Sequence, residues 1–258
     1  MKLTSPLPDS LRHFFEEHKK IALAFSGGTD SAYLLWAGKE AGCDIKPFFI
    51  KSAFQPEFEL MDAAKLSEES ELNLTILELD VLADETIRKN PSNRCYYCKT
   101  RLFTTLKERA AIAGYDTVID GTNASDDVDD RPGMKALAEL GILSPLRLCG
   151  ITKEQVRTFS EQVGLFTAKK PSYACLATRI PAGTEISASD LQKIERSEAS
   201  LREMGYENFR IRLFHGCARI QLPESLFDKA VKEHGKITEQ LCHDFDGIFL
   251  DLIPRVPE

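Results

Sequence analysis

The stretch IALAFSGGTDS (21–31) and the residues that follow it, AYLLWAGKEA (32–41), decide the fold. Residues 21–25 are apolar throughout, the pattern of a strand covered on both faces. A helix is predicted from Ser31 to about Ala41. Between them, Gly27 and Gly28 let the chain turn tightly and bring backbone N–H groups close to a ligand. The helix behind them aims its N-terminal N–H groups and the positive end of its dipole at the same point. Ser26, Thr29 and Ser31 add hydroxyl donors. The loop fits neither G-x-x-x-x-G-K-[ST] nor G-x-G-x-x-G. The plain alternative is a Gly-Gly turn in which Asp30 or Ser31 caps the next helix.

Outward from this loop, short apolar runs alternate with helical patterns. Strands are predicted at IKPFFIKS (45–52), LTILELD (74–80) and TVIDGTN (117–123), with helices from about Pro56 to Glu71 and around Cys95–Ala113. This βαβα order argues for a parallel sheet. Ligands of such sheets sit at the carboxyl ends of the strands. Ser52, beside Lys51, and Gly121-Thr122-Asn123 therefore face the same ligand as the loop, although the latter three also read as an ordinary turn. The acidic run Asp126, Asp127, Asp129 and Asp130 reads as a solvated loop rather than a metal cage, with one carboxylate at most assigned to a metal ion. ITKEQVRTFSEQVGL (151–165) reads as a helix with Thr152 as its N-cap.

After Pro171 the texture changes. PSYACLATRIPAGTEIS leads to a helix over about 188–204; FRIRLF and CARIQL then alternate as an antiparallel pair separated by His215-Gly216. A helix near 224–233 and a strand in DGIFLDLI complete an α-β-β-α-β order. The predicted architecture is α/β: a parallel-sheet domain over 1–180 and a smaller α+β domain over 181–258.

The chain has 258 residues, enough for two such cores. Its net charge of −7 argues against a polyanionic RNA or DNA partner. The N-terminal residues lack the apolar stretch of a secretory signal, and no apolar run is long enough to span a bilayer, so a cytoplasmic location is expected. Seven cysteines in a reducing compartment are then core residues, metal ligands or reactive thiols. Cys95 and Cys98 in RCYYCK are spaced to share one helical face. Cys175, with Lys169, Lys170 and Arg179 nearby in sequence, has the positive surroundings that favour a thiolate. Together the three suit an iron–sulfur cluster with one open iron. A zinc site completed by His215 or Cys217, a redox pair, and three unrelated buried thiols are the other readings. Cys43, Cys149, Cys217 and Cys242 lie in apolar or strand-like settings and read as core.

SGGTDS resembles the SGGxDS loop of the PP-loop ATP pyrophosphatase superfamily, also described as adenine nucleotide alpha hydrolase-like. With RCYYCK, DGTNASDD-x-x-DRPG, LSPL and PS-x-x-CLATR-x-P-x-G-x-x-I, the chain from about residue 20 to 220 resembles the LarE family. That resemblance implies an ATP-dependent sulfur transferase of nickel-pincer nucleotide (lactate racemase cofactor) biosynthesis. Its substrate would be pyridinium-3,5-biscarboxylic acid mononucleotide, each carboxylate being adenylated and then converted to a thiocarboxylate with release of pyrophosphate and AMP. It implies ATP at Ser26, Gly27, Gly28, Thr29, Asp30, Ser31, Ser52, Gly121, Thr122 and Asn123, with Asp30 near Mg2+. Arg210, Arg212 and Arg179 would meet the substrate phosphate, with Glu198 in the active site. Cys175 would be the sulfur centre, either sacrificed or joined to Cys95 and Cys98 through a [4Fe-4S] cluster, the form favoured by the presence of all three thiols. Gln221 stands where the resemblance implies an acidic residue. Family members form homo-oligomers.

Three rival functions remain open on sequence grounds. A tRNA-thiolating enzyme would need a basic surface. An NAD-synthetase-like amide ligase would leave the thiols idle. A nucleotide-binding regulator would not turn ATP over.

Overall fold

The structure is a computed structural model that describes residues 5–126 and 132–256. Asp127, Asp129 and Asp130 lie outside the described residues. The chain divides into two compact units, Met1–Val81 with Asn93–Lys170, and Leu82–Ser92 with Pro171–Glu258.

The first unit is built on four parallel strands, β1 (Lys20–Ala24), β2 (Asp44–Lys51), β3 (Thr75–Glu78) and β4 (Thr117–Ile119), in the order β3-β2-β1-β4. The parallel sheet expected from the sequence is therefore present. Alternate residues of β1 enter different cores. Ile21 and Leu23 pack with α1 (Asp9–Glu17), α2 (Thr29–Glu40) and α8 (Lys153–Gln162) through Leu11, Phe15, Tyr33, Leu34 and Phe159. Ala22 faces Phe103, Leu106 and Ala110 of α5 (Arg94–Ile112) and Leu137 of α6 (Pro132–Glu139). A strand buried on both faces has no polar side to show, which is why residues 21–25 carry no alternation.

The strand order reverses beside β1. The chain runs from β1 to β2 and, through α3 (Glu57–Glu69), to β3, then returns to lay β4 on the other flank of β1. Diverging connections at such a switch point leave a crevice at the carboxyl ends of the strands. The loop at 26–31 leaves β1 at that end.

β4 is shorter than the sequence suggests. It ends at Ile119 because Asp120, Thr122 and Ser144 form a side-chain knot: Thr122 Oγ1 and Ser144 Oγ donate to the Asp120 carboxylate at 2.5 and 2.6 Å. The Asp120 N–H turns to the carbonyl of Leu143. Residues 120–123 are thereby a shaped loop, not strand. Asp9–Glu17, Pro132–Glu139 and α7 (Pro145–Leu148) are helices that the sequence reading did not identify. Thr152 caps α8 as expected, with Gln155 completing a reciprocal capping box.

The second unit carries a three-stranded sheet, β5 (Arg210–Phe214), β6 (Cys217–Gln221) and β7 (Ile248–Leu250). β5 and β6 are antiparallel, and β6 and β7 parallel. His215 and Gly216 both have positive φ, 49° and 79°, as a tight primed hairpin turn requires. α9 (Ala188–Glu203) packs beside this sheet, with α10 (Phe227–Lys232) and α11 (His234–Leu241) completing the unit. The short helix α4 (Glu85–Arg88) belongs here because its segment bonds to 183–186: Gly183 N–H donates to Asn90 O and Ile186 N–H to Arg88 O. Among the described residues, no helix is long and apolar enough to cross a membrane.

Candidate active site

In the first unit, the loop at 26–31 is fixed from within and from behind. The Ser26 N–H donates to Ser31 Oγ at 3.3 Å, the two hydroxyls lie 3.1 Å apart, and Ser31 Oγ donates to Gly28 O. Gly27 has φ 68°, the left-handed region that favours glycine. A Cβ there would meet Glu59 O at 2.7 Å and Ala63 N at 2.9 Å, both backbone atoms of α3. Gly28 is the N-cap of α2 and supplies no side-chain cap, so the first-turn N–H groups keep the N-terminal end of the helix as a donor surface. Thr29 is turned away, its hydroxyl donating to Thr167 O at 2.7 Å.

Of the other sequence-selected residues of this unit, Gly121 and Asn123 sit against that surface. Gly121 lies directly against the start of α2, where a Cβ would be 3.3 Å from both Asp30 Cβ and Ser31 N. Asn123 Nδ2 donates to Asp30 Oδ1 at 3.4 Å, and the Asn123 N–H donates to Asp126 Oδ2 at 3.0 Å. Ser52 closes a turn at the end of β2, donating to Gln55 Oε1 at 2.6 Å. Residues from the ends of β1 and β4 therefore converge, as the switch-point geometry requires.

Two lysines at this loop were not identified from sequence as partners of its acids. Lys153 Nζ lies 2.5 Å from Asp30 Oδ2. Lys170 Nζ lies 2.5 Å from Asp62 Oδ2 and 3.4 Å from Gly27 O. Burial pushes the Asp30 carboxyl above its ordinary value, more than the neighbouring Lys153 pulls it back.

In the second unit Arg179, Glu198 and Arg210 are deeply enclosed. Arg179 and Glu198 are each 1% exposed and form a two-point pair, at 2.9 Å from Nε to Oε1 and 3.2 Å from Nη2 to Oε2. Tyr173 OH and the Ile211 N–H donate to the same carboxylate at 2.6 and 3.1 Å. Burial alone would raise the Glu198 pKa; Arg179, Tyr173 and Ile211 outweigh it and hold the carboxyl below its usual range. A carboxylate held by four hydrogen bonds is a positioning anion and a poor proton acceptor.

The Tyr173 ring lies beneath the guanidinium groups of Arg179 and Arg210, at 4.4 and 5.1 Å from its centroid. Arg210 is buried and donates to Phe209 O and Ser172 O, both at 2.8 Å. Burial, with Arg179 and Arg255, lowers its pKa to about 10. Arg212, two residues along β5, is more open and donates to Gln221 Oε1 at 2.5 Å and Thr178 O at 2.6 Å. Gln221 in turn donates to Asp251 at 2.9 Å, so an acidic side chain stands directly behind it. Cys175 begins the 3-10 turn Leu176–Arg179, and its carbonyl accepts from Thr178 Oγ1 at 2.8 Å and Arg179 Nη1 at 3.4 Å.

No protein-family profile matches the chain. The pyridinium-3,5-bisthiocarboxylic acid mononucleotide synthase of Lactiplantibacillus plantarum is 30% identical to it over 237 residues, 91% of this chain and 86% of that protein. The chain belongs to the LarE family. Uncharacterized LarE relatives from Synechocystis sp. and Methanocaldococcus jannaschii are 36% and 33% identical over 87% and 93% of the chain, covering 84% and 91% of their own lengths.

The thiols of this LarE-family chain are free of disulfides. Cys95 and Cys98 lie near the N-terminus of α5, in the first unit; Cys175 lies in the second. Cys95 is exposed and Cys98 buried. Among the described residues, no group of three or more His, Cys, Asp or Glu side chains is arranged to hold a metal. Within the first unit Cys95 and Cys98 are one helical turn apart on α5, and within the second Cys175 begins the turn that carries the buried Arg179. Cys43 is buried beneath α2, and its thiol is pushed up to about 11 by that burial, with Asp44 adding to it.

Proposed function

We propose that the chain is an ATP-dependent sulfur transferase that adenylates the carboxylates of pyridinium-3,5-biscarboxylic acid mononucleotide and converts them to thiocarboxylates. The observation that carries this reading is the near full-length relationship to the synthase of that bisthiocarboxylic acid mononucleotide. The glycine-bearing loop at the switch point of a parallel sheet supports it, because this is where such a sheet takes a nucleotide.

A carboxylate is a poor electrophile until one of its oxygens becomes a leaving group. Attack of a substrate carboxylate oxygen on the α-phosphorus of ATP forms the acyl-adenylate and breaks the bond to the β-phosphate. Residues 26–31 and the start of α2 would hold the departing pyrophosphate on backbone N–H groups. Asp30 and Asn123 would face the magnesium that accompanies the phosphates, Ser52, Gly121 and Thr122 completing the nucleotide contour. Magnesium, when bound, supplies charge screening of the phosphates.

Sulfur then attacks the acyl carbon and AMP leaves. Cys175 is the sulfur centre in this reading, with the Arg179–Glu198–Tyr173 cluster fixing the turn that carries it. A [4Fe-4S] cluster on Cys95, Cys98 and Cys175 would, when bound, supply a transferable sulfur at its open iron. Arg212, the most open of the three arginines, would bind the substrate phosphate, with the buried charges of Arg179 and Arg210 behind it. Reduced thiols suit a cytoplasmic setting.

The test is incubation of anaerobically reconstituted protein with ATP, Mg2+, inorganic sulfide and the biscarboxylated nucleotide. AMP, pyrophosphate and thiocarboxylate should appear in step over many turnovers. AMP release with tRNA and none with the nucleotide would overturn the assignment. Activity in an iron-free protein whose own mass falls by one hydrogen sulfide would replace the cluster with sacrifice of Cys175.

A further inference from the structure

The charges around the loop at 26–31 do not match those of an empty anion site. Lysine side chains reach it from two directions, yet each already has an acidic partner at 2.5 Å: Lys153 on Asp30, and Lys170 on Asp62. The four side chains are between 18% and 27% exposed, so both pairs are open enough to exchange partners. The anchors of these side chains are firm. Lys153 is the first residue of α8, behind the Thr152 capping box, and its N–H donates to Ser125 Oγ at 3.0 Å. Lys170 stays over the Phe58 ring, 5.0 Å from the centroid, with its Nζ already 3.4 Å from Gly27 O.

We propose that Lys153 and Lys170 are the cations that receive the pyrophosphate, each released from its aspartate when the phosphates enter the loop. The proposal rests on the ATP reading above and assigns to it two phosphate-binding residues. An ammonium is a compact charge on a flexible four-carbon stem, able to swing from a carboxylate to a phosphate oxygen without moving its backbone. Backbone N–H groups at the start of α2 direct the phosphate oxygens but carry no full charge. The two lysines supply it. The aspartates keep those lysines ionised and oriented between turnovers, and Asp30 is left facing the metal once Lys153 has turned.

The test is equilibrium binding of inorganic pyrophosphate with Mg2+, and separately of AMP, to the full chain by titration calorimetry. Lys153→Met and Lys170→Met keep the aliphatic stem and should each weaken pyrophosphate binding by about tenfold or more, the scale of a charge-assisted hydrogen bond. AMP binding should not change, and Lys153→Arg and Lys170→Arg should recover most of the loss. Asp62→Asn, which frees Lys170, should tighten pyrophosphate binding. A merely structural pair predicts the reverse for Asp62→Asn, and that result would overturn the proposal even where a lysine variant fails to fold. Methionine variants that melt normally and bind pyrophosphate as the unaltered chain does would also overturn it. If the unaltered chain binds ATP and AMP but not pyrophosphate, the lysine assignment falls and the ATP reading stands. If it binds none of the three, both fall.

Discussion

The loop of the first unit and the arginine cluster of the second handle charge in opposite ways. At the loop, ion pairs are single-point contacts between side chains about one-fifth to one-quarter exposed. In the second unit, Arg179 and Glu198 are 1% exposed and joined at two points, with Tyr173 and Ile211 completing the carboxylate. Exchangeable pairs suit a place where a polyanion arrives and leaves. A buried, fully bonded pair suits a part that must hold one geometry.

The sharpest way to break this comparison is Glu198→Gln. It leaves Arg179 ionised and without its anion in a dry setting, and the expected loss of stability is about 3–5 kcal/mol, read from urea unfolding. A loss below about 1 kcal/mol, the scale of an exposed pair, would show that the cluster is as exchangeable as the loop. Gly27→Ala should cost about 1–3 kcal/mol through its left-handed backbone alone, and the contact with α3 adds to that. The same variant should weaken Mg-ATP binding, since relief of the clash shifts the loop. Unchanged ATP affinity would remove Gly27 from the site.

Acidification separates the two carboxylates by sign. The folded pKa of Glu198 is depressed, so its contribution is complete above the ordinary carboxylate range and is lost as pH falls through the depressed value. The stability gap between the unaltered chain and Glu198→Gln should therefore narrow as pH falls below the ordinary carboxylate range. The folded pKa of Asp30 is raised, so its cost is present above that raised value and is relieved as pH falls towards the ordinary one. Relative to Asp30→Asn, the unaltered chain should gain stability over that window. Parallel behaviour of the two pairs of curves would contradict the comparison. The smallest effect belongs to Asp30→Asn at neutral pH, expected within about 1 kcal/mol of the unaltered chain because its partner stays hydrated.

The legible parts of the fold were those written over short distances. Residues 21–41 state a strand, a turn and a helix in one continuous run, and Thr152 states its cap within three residues. His215-Gly216 marks a hairpin because few other pairs accept positive φ twice. Asp120 misled the reading of β4: its side chain captures Thr122 and Ser144, and neither bond follows from β propensity. Lys153 lies 123 positions from Asp30, and no local pattern announces such a partner. Arg210 and Arg212 do alternate along β5 as read, but period two says only that they share a face. It does not say that Arg210 is consumed by backbone carbonyls while Arg212 stays more open. Glu198 was found by resemblance; its four hydrogen bonds required the fold.

The missing Cβ of Gly27 has a thermodynamic consequence. Because the loop rests directly on the backbone of α3, at separations that admit no side chain, its shape is settled when the chain folds. The conformational entropy of ordering it is spent then. The nucleotide proposed to bind there would meet a preorganised cradle, and its binding free energy would not be drawn down to build one.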